Sequence, residues 1–445
     1  MNAKLLLQFY IASFVAHTQT LLLQMKHNRS FYLFTAYIVY VLFCVYYHYS
    51  IIITLLPIVI YLLTFLIDTF DHPHIYYMKQ SPFAVKILQN TPELLKDYKA
   101  PIKPLSGHIL TTYNANFTPS FEQQFEREIV QLQDGGICAI DEYKCDMPKN
   151  TTIVYILPGI LGDTKQSYTK KIVKYAFENG MKPIVYIKRG LDGLELKTDK
   201  MFNAITVDDV YETLSFIHKK YPEAYINIIG YSLGGSLATR LSYTYGEKLL
   251  EFKVNAICAV CPIWGLSSVF TPTVYESSLV EEYKSIVMKH KELFEKKERD
   301  GKKVYDLETI KKCKSCKDME RELITPMFGY KNVEQYYWDV EQWFQNLPVT
   351  PIPTYTLTSF DDPVLNDQTY SYLRIKAISG FSPFVMNCYT QRGGHCIYTE
   401  SLERDALSYA DRNCVAFMKA VEELNVSGEL EEMRKNAREN FKWFE

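Results

Sequence analysis

The stretch Ile226-Asn-Ile-Ile-Gly-Tyr-Ser-Leu-Gly-Gly-Ser-Leu-Ala-Thr239 constrains this chain more than any other. An apolar run that suits a buried strand leads straight into helical spacing, with only Gly230-Tyr231-Ser232-Leu233-Gly234 between them. So sharp a turn holds Ser232 in a strained backbone conformation, and side chains two residues away on either side would clash, which is why both are glycine. The hydroxyl of Ser232 then projects above a sheet edge beside a helix N-terminus.

The flanking sequence supplies such a sheet. Arg127–Leu132 and Ile137–Asp141 around Asp134-Gly-Gly136 read as an antiparallel hairpin. After it, β-branched and aromatic runs at Thr152–Leu157, Pro183–Ile187, Ile226–Ile229, Val254–Cys261, Pro353–Thr358 and Phe384–Thr390 suit strands covered on both faces. Helical spacing at Ser167–Asn179, Val207–Lys220, Ser236–Leu249 and Glu403–Leu424 alternates with them. Such alternation predicts an α/β fold, a mostly parallel sheet with helices on both faces, and with its leading antiparallel hairpin it looks like an α/β-hydrolase fold. A charged, then aromatic-rich stretch from about 264 to 347 separates two strands and reads as a helical cap over the site.

A serine hydroxyl becomes a nucleophile only when a histidine takes its proton, and that histidine needs an acid to fix its tautomer. In this fold the chain order is serine, acid, histidine. Of nine histidines, only His395 lies beyond the strand that delivers the acid, in the glycine-rich loop Arg392-Gly-Gly-His395. His108 and His218 come too early. The acid falls in Asp361-Asp362-Pro363. Asp362 is chosen by turn position, with Asp361 second and Asp367 a distant third. Two backbone amides must hold the oxyanion. Leu233, directly after the serine, gives one, and Ile160 in Leu157-Pro-Gly-Ile-Leu-Gly162 gives the other, with Leu161 as alternative.

The N-terminal region is of a different kind. From Phe31 to Ile67 there is no Lys, Arg, Asp or Glu. As one helix the run would measure roughly 55 Å at ~1.5 Å per residue, against a hydrocarbon core of about 30 Å. It makes one steep span or a hairpin of two short ones broken near Tyr47-His48-Tyr49-Ser50. Lys26, His27 and Arg29 before it and Asp68 and Asp71 after it place the N-terminus in the cytosol. Residues 1–75 are thus expected to anchor the chain in a membrane, the endoplasmic reticulum or another endomembrane, and 76–445 to form the enzyme domain.

Lys and Arg number 49 against 51 Asp and Glu, without a basic stripe, so nucleic acid is not an expected partner. Cys313-Lys-Ser-Cys316 lacks a second ligand pair for zinc, and no metal or cofactor is expected.

Together, Gly107-His-Ile-Leu-Thr111, Arg127-Glu128 with Asp134-Gly-Gly and Asp141, Leu157-Pro-Gly-Ile-Leu-Gly162, Arg189-Gly190, the serine elbow, Phe328-Gly-Tyr330 with Tyr336-Tyr337, Asp361-Asp-Pro363 and Gly393-Gly-His395 resemble the membrane-anchored α/β-hydrolase-domain lipase and esterase group, which includes fungal medium-chain ester synthases. The resemblance implies a triad of Ser232, Asp362 and His395, an N-terminal anchor, and hydrolysis of monoacylglycerol, phospholipid or short-chain esters, or acyl transfer to small alcohols. Two positions depart from the group: Glu142 follows Asp141 where a tryptophan is usual, and Lys188 precedes Arg189 where an asparagine is usual. Both are expected to lie away from the catalytic groups. The expected substrate is a lipid or other acyl ester drawn from the membrane through the aromatic cap (Phe328, Tyr330, Tyr336, Tyr337, Trp338, Trp343, Phe344). A catalytically silent membrane scaffold is the competing reading from another class.

Overall fold

A computed structural model describes Tyr40 and residues 71–440, apart from 102–106, 108–109, 113–118, 267–273, 343–345, 348–349, 366–374, 377–378 and 402. The expected membrane segment, save Tyr40, and Trp343, Phe344 and Asp367 therefore lie outside the described residues. Among the described residues no helix is long and apolar enough to cross a membrane.

In chain order the strands are β1 (His74–Tyr76), β2 (Phe125–Gln131), β3 (Ile137–Tyr143), β4 (Ile153–Leu157), β5 (Lys182–Ile187), β6 (Ile226–Tyr231), β7 (Val254–Val260), β8 (Glu298–Arg299), β9 (Lys302–Lys303), β10 (Thr354–Ser359) and β11 (Val385–Thr390). Nine of them form one sheet in the order β1-β11-β10-β7-β6-β4-β5-β3-β2, and β8 and β9 form a separate small ribbon. The six from β5 to β11 across the sheet run parallel, and β2, β3 and β1 pair antiparallel at its edges. Every residue of β4, β5, β6, β7, β10 and β11 is buried, as continuous apolar runs flanked by helices require. The hairpin is pinned where Arg127 faces Asp141 across the ladder, its guanidinium donating to both carboxylate oxygens at 2.6 and 2.7 Å.

One face of the sheet is covered by α1 (Pro82–Asn90), α2 (Ser167–Glu178) and a long C-terminal helix, through Phe83, Ile172, Phe417 and Val421. The other is covered by α3 (Asp208–Lys220) and α4 (Leu233–Thr244), whose core runs on without a break into the insertion after β7. That insertion holds α5 (Val274–Lys289), a run of short helical turns and α6 (Val333–Val340). Val280, Tyr283, Val287, Met319, Leu323 and Tyr336 join it to Leu233 and Leu237 of α4 in a single apolar cluster. Most cap aromatics thus pack the cap's own core, while Trp338 is exposed.

Three boundaries differ from expectation. α4 begins at Leu233, directly after the serine, and a second short helix, Gly246–Glu251, follows it. The C-terminal helix α7 spans Tyr409–Val426, starting later than Glu403. Ser408 caps it, its hydroxyl accepting from the Ala410 amide at 3.1 Å, and a side-chain cap fixes a helix start that apolar spacing alone leaves loose.

Candidate active site

Ser232 sits between β6 and α4 at φ 54° and ψ −119°, left-handed for a residue that carries a Cβ. The glycines around it are obligatory for measurable reasons. A Cβ on Gly230 would lie 2.1 Å from the Gly234 carbonyl oxygen, and one on Gly234 would lie 1.9 Å from that of Leu157. The Ser232 amide donates to the Val260 carbonyl at 2.9 Å, tying the elbow to the end of β7. Behind it, Tyr231 donates to Asp411 of α7 at 2.6 Å in the opposite core.

The two aspartates after β10 divide their work. Asp362 Oδ2 meets Nδ1 of His395 at 2.7 Å, and its other oxygen accepts from the Val364 amide at 2.8 Å. Asp361 accepts from the Gly394 amide at 2.8 Å and braces the histidine loop without facing the ring. Burial lifts the Asp361 carboxyl to about 7. For His395 burial opposes the charged ring, but the Asp362 carboxylate, together with Cys396 beside it, prevails and pushes the imidazole well above its usual range. The backbone of His395 is itself held, its amide donating to Thr111 Oγ1 at 2.9 Å while that hydroxyl donates to the Gly107 carbonyl at 2.7 Å. A Cβ on Gly107 would stand 1.7 Å from the Asp361 carbonyl oxygen, so Gly107 and Thr111 together clamp the acid and base loops.

The loop after β4 passes close over the nucleophile: a Cβ built on Gly159 would come within 3.5 Å of Ser232 Cβ. The Gly159 amide is taken by the Tyr168 hydroxyl at 2.9 Å, and its carbonyl accepts from Gly162 at 3.0 Å. That carbonyl also accepts from the ammonium of Lys188 at 2.6 Å. This corrects the expectation that Lys188 stands apart from the catalytic groups. A buried lysine at this position holds the carbonyl of the very peptide whose N–H is that of Ile160, and burial lowers its pKa to about 7. Glu142, the other departure, binds Lys182 at 2.9 Å, Lys220 at 2.9 Å and Tyr221 at 2.6 Å on the far side of the hairpin.

Ile160 and Leu233 line a common cavity of about 40 Å³, closed on the other side by Tyr283, Met319, Glu320 and Tyr336 of the cap. Glu320 is raised to about 7 by burial and accepts from the Tyr337 hydroxyl. Cys313 and Cys316 are buried thiols of the cap; among the described residues the one group of His, Cys or acidic side chains placed to hold a metal is Cys261, His395 and Cys396.

Thr111, Tyr168 and Lys188 escaped the sequence reading because each acts on a neighbour distant in the chain. The Gly107-to-Thr111 motif and the departure at Lys188 were visible as patterns, without any spacing that revealed what they touch.

No family model matches the chain. It is 29% identical over 294 residues to the Caenorhabditis elegans protein abhd-3.2, covering 65% of this chain and 75% of that one. It is 26% identical to human phospholipase ABHD3, covering 67% and 73%, and 25% identical to human monoacylglycerol lipase ABHD2, covering 78% and 85%. Among solved structures, the Pyrococcus furiosus esterase Pf2001 is 11% identical with a TM-score of 0.42, covering 68% of this chain and 96% of that one.

Proposed function

We propose that this chain, a member of the α/β-hydrolase-domain lipase and esterase family, cleaves lipid esters through an acyl-enzyme on Ser232. The observation that carries the mechanism is the 2.7 Å contact of Asp362 with His395 Nδ1, on the same sheet edge as a serine in a left-handed elbow.

The chemistry follows from that arrangement. With Nδ1 committed to Asp362, Nε2 of a neutral His395 is free of a proton and takes the one on Ser232 as Oγ attacks the ester carbonyl. Asp362 stabilises the imidazolium so formed. The developing oxyanion is held by the amides of Leu233 and Ile160, the first at the positive end of α4, the second fixed by the Gly159 contacts to Tyr168 and Lys188. His395 then returns the proton to the leaving alcohol, and water repeats the sequence on the acyl-enzyme.

The substrate reading rests on relatives named phospholipase and monoacylglycerol lipase, on the apolar run Phe31–Ile67 and on the apolar cap. A cavity of about 40 Å³ has room for a few waters and not for an acyl chain, which enters once the cap lifts from Leu233 and Ile160. A cap that opens at a membrane surface suits an enzyme anchored by residues 1–75 to the endoplasmic reticulum or another endomembrane.

A fluorophosphonate probe tests the reading: it should label wild-type protein at Ser232 and leave Ser232→Ala unlabelled. Folded wild-type protein that takes no label refutes it. Acyl esters of graded chain length in detergent micelles then test the lipid part, which fails if water-soluble acetyl esters are hydrolysed more efficiently than every longer ester.

A further inference from the structure

We propose that Cys261 and Cys396 form an oxidation site that closes into a disulfide and withdraws His395 from Ser232, an effect on activity that rests on the triad reading above. The geometry is that of a pair built around the base. The two Sγ atoms and a ring nitrogen of His395 all lie within 4.8 Å of one another. Sγ of Cys261 accepts from the Cys396 amide at 3.3 Å and donates to the Gly394 carbonyl at 3.7 Å, so it rests against the backbone on both sides of His395. Sγ of Cys396 donates to the Val260 carbonyl at 3.5 Å, the same oxygen that accepts from the Ser232 amide.

Both cysteines have left-handed backbones, φ 47° at Cys261 and 65° at Cys396, which residues with a Cβ hold only where the surroundings impose it. Neither thiol carries a step of the ester cleavage set out above. The residues facing the pair are His395 and Asp362 from the base and acid loops, with the hydroxyl-bearing Tyr398 beyond. Against burial, the hydrogen bond from Cys261 and the proximity of His395 lower the Cys396 thiol to about 6; on ionising it gives up its contact to the Val260 carbonyl and becomes the thiolate, the form that reacts with peroxides.

The sequence of bonds is balanced with hydrogen peroxide as oxidant. The Cys396 thiolate attacks one peroxide oxygen, the O–O bond breaks, and a sulfenic acid and hydroxide result. The Cys261 sulfur then attacks the sulfenic sulfur; the S–OH bond breaks and the Cys261 proton neutralises that hydroxide, while the hydroxide from the first step takes up the proton that Cys396 released on ionising, so the products are one disulfide and two waters. Two electrons pass from the sulfur pair to the peroxide. The S–S bond measures about 2.05 Å, so the sulfurs must approach from their resting separation. The yielding partner is the Gly393-Gly394 loop, with φ of 152° and 60°, and the shift carries His395 with it.

The test uses the full-length protein, treated with hydrogen peroxide and quenched with catalase. Wild type should lose at least tenfold in fluorophosphonate labelling, recover it with dithiothreitol but not with EDTA, and yield a tryptic Cys261–Cys396 cross-linked peptide. Cys261→Ser and Cys396→Ser should each label normally before treatment and show no reversible loss. The proposal is overturned if the cross-linked peptide is absent, if it forms without loss of labelling, if both variants lose activity as wild type does, or if EDTA rather than dithiothreitol restores activity. Failure of the reduced wild type to label at all would instead refute the serine mechanism, leaving the peptide readout to judge disulfide formation alone.

Discussion

Replacing Lys188 by methionine separates the stability of this protein from its activity. The ammonium is fully buried and donates to the Gly159 carbonyl at 2.6 Å. Burial takes its pKa from 10.5 to about 7, and that difference of about 3.5, at about 1.36 kcal/mol per tenfold change in affinity, sets the charged form at a disadvantage of about 5 kcal/mol. Methionine removes this penalty and forfeits a charge-assisted hydrogen bond contributing about 1.5–3 kcal/mol, so the variant should be more stable near neutrality by about 2 kcal/mol. The sign with pH is definite. A lysine depressed in the folded state binds fewer protons there than in the unfolded chain between about pH 7 and 10.5, so its contribution to stability rises with pH across that window. Wild type should gain about 2 kcal/mol from this group between about pH 7 and 9, and Lys188→Met should gain none of it. Turnover should move the other way. An oxyanion donor lost outright costs about 10²–10³ in kcat, and an Ile160 amide left loosely held should cost about tenfold with KM little changed. Thermal unfolding at two pH values and kcat on a soluble ester measure both. A folded variant with wild-type kcat would refute the positioning role, and a variant less stable at neutral pH than wild type would refute the cost of burial.

Other perturbations separate the remaining parts. Asp362→Asn should lower kcat by about 10³–10⁴-fold, since it leaves the ring in the wrong tautomer, whereas Asp361→Asn should act mainly on stability by weakening the contact to Gly394; equal kinetic effects would contradict the division of labour. Because Asp362 raises His395, kcat/KM should climb with pH along a limb whose midpoint lies above 6.5, and a midpoint at or below that value would show that the carboxylate does not govern the ring. The same contact contributes stability that is full below the unfolded histidine pKa and is lost as pH rises through the folded one, the reverse of Lys188. Gly234→Ala places a Cβ 1.9 Å from the Leu157 carbonyl oxygen and should destabilise by about 3 kcal/mol or more, read by denaturant unfolding; a neutral result would mean the elbow can relax.

Much of this site was legible before any fold was known. Gly230, Ser232 and Gly234 announced the elbow because its steric demand is local, spanning five residues. His395 emerged by elimination because strand order fixes where the base loop must come. The mostly parallel sheet followed from buried strands alternating with amphipathic helices, a periodicity the chain carries in every segment. By contrast, the helix start at Tyr409 turned on the capping hydroxyl of Ser408 and the start at Leu233 on the backbone turn at Ser232, neither of which apolar spacing encodes.

What the sequence determined alone was therefore the kind of chemistry: a serine, an acid in a two-residue window and one histidine, in the order this sheet can bring together. Only the tertiary structure decided which aspartate faces the ring, because Asp361 and Asp362 are adjacent in the chain and reach different groups of one loop, the Gly394 amide and the His395 ring. It also decided that Lys188 grips the loop carrying Ile160, and that Cys261 and Cys396, 135 residues apart, meet beside His395. These contacts depend on distances through space between segments remote in the chain, and no pattern along the chain records such a distance.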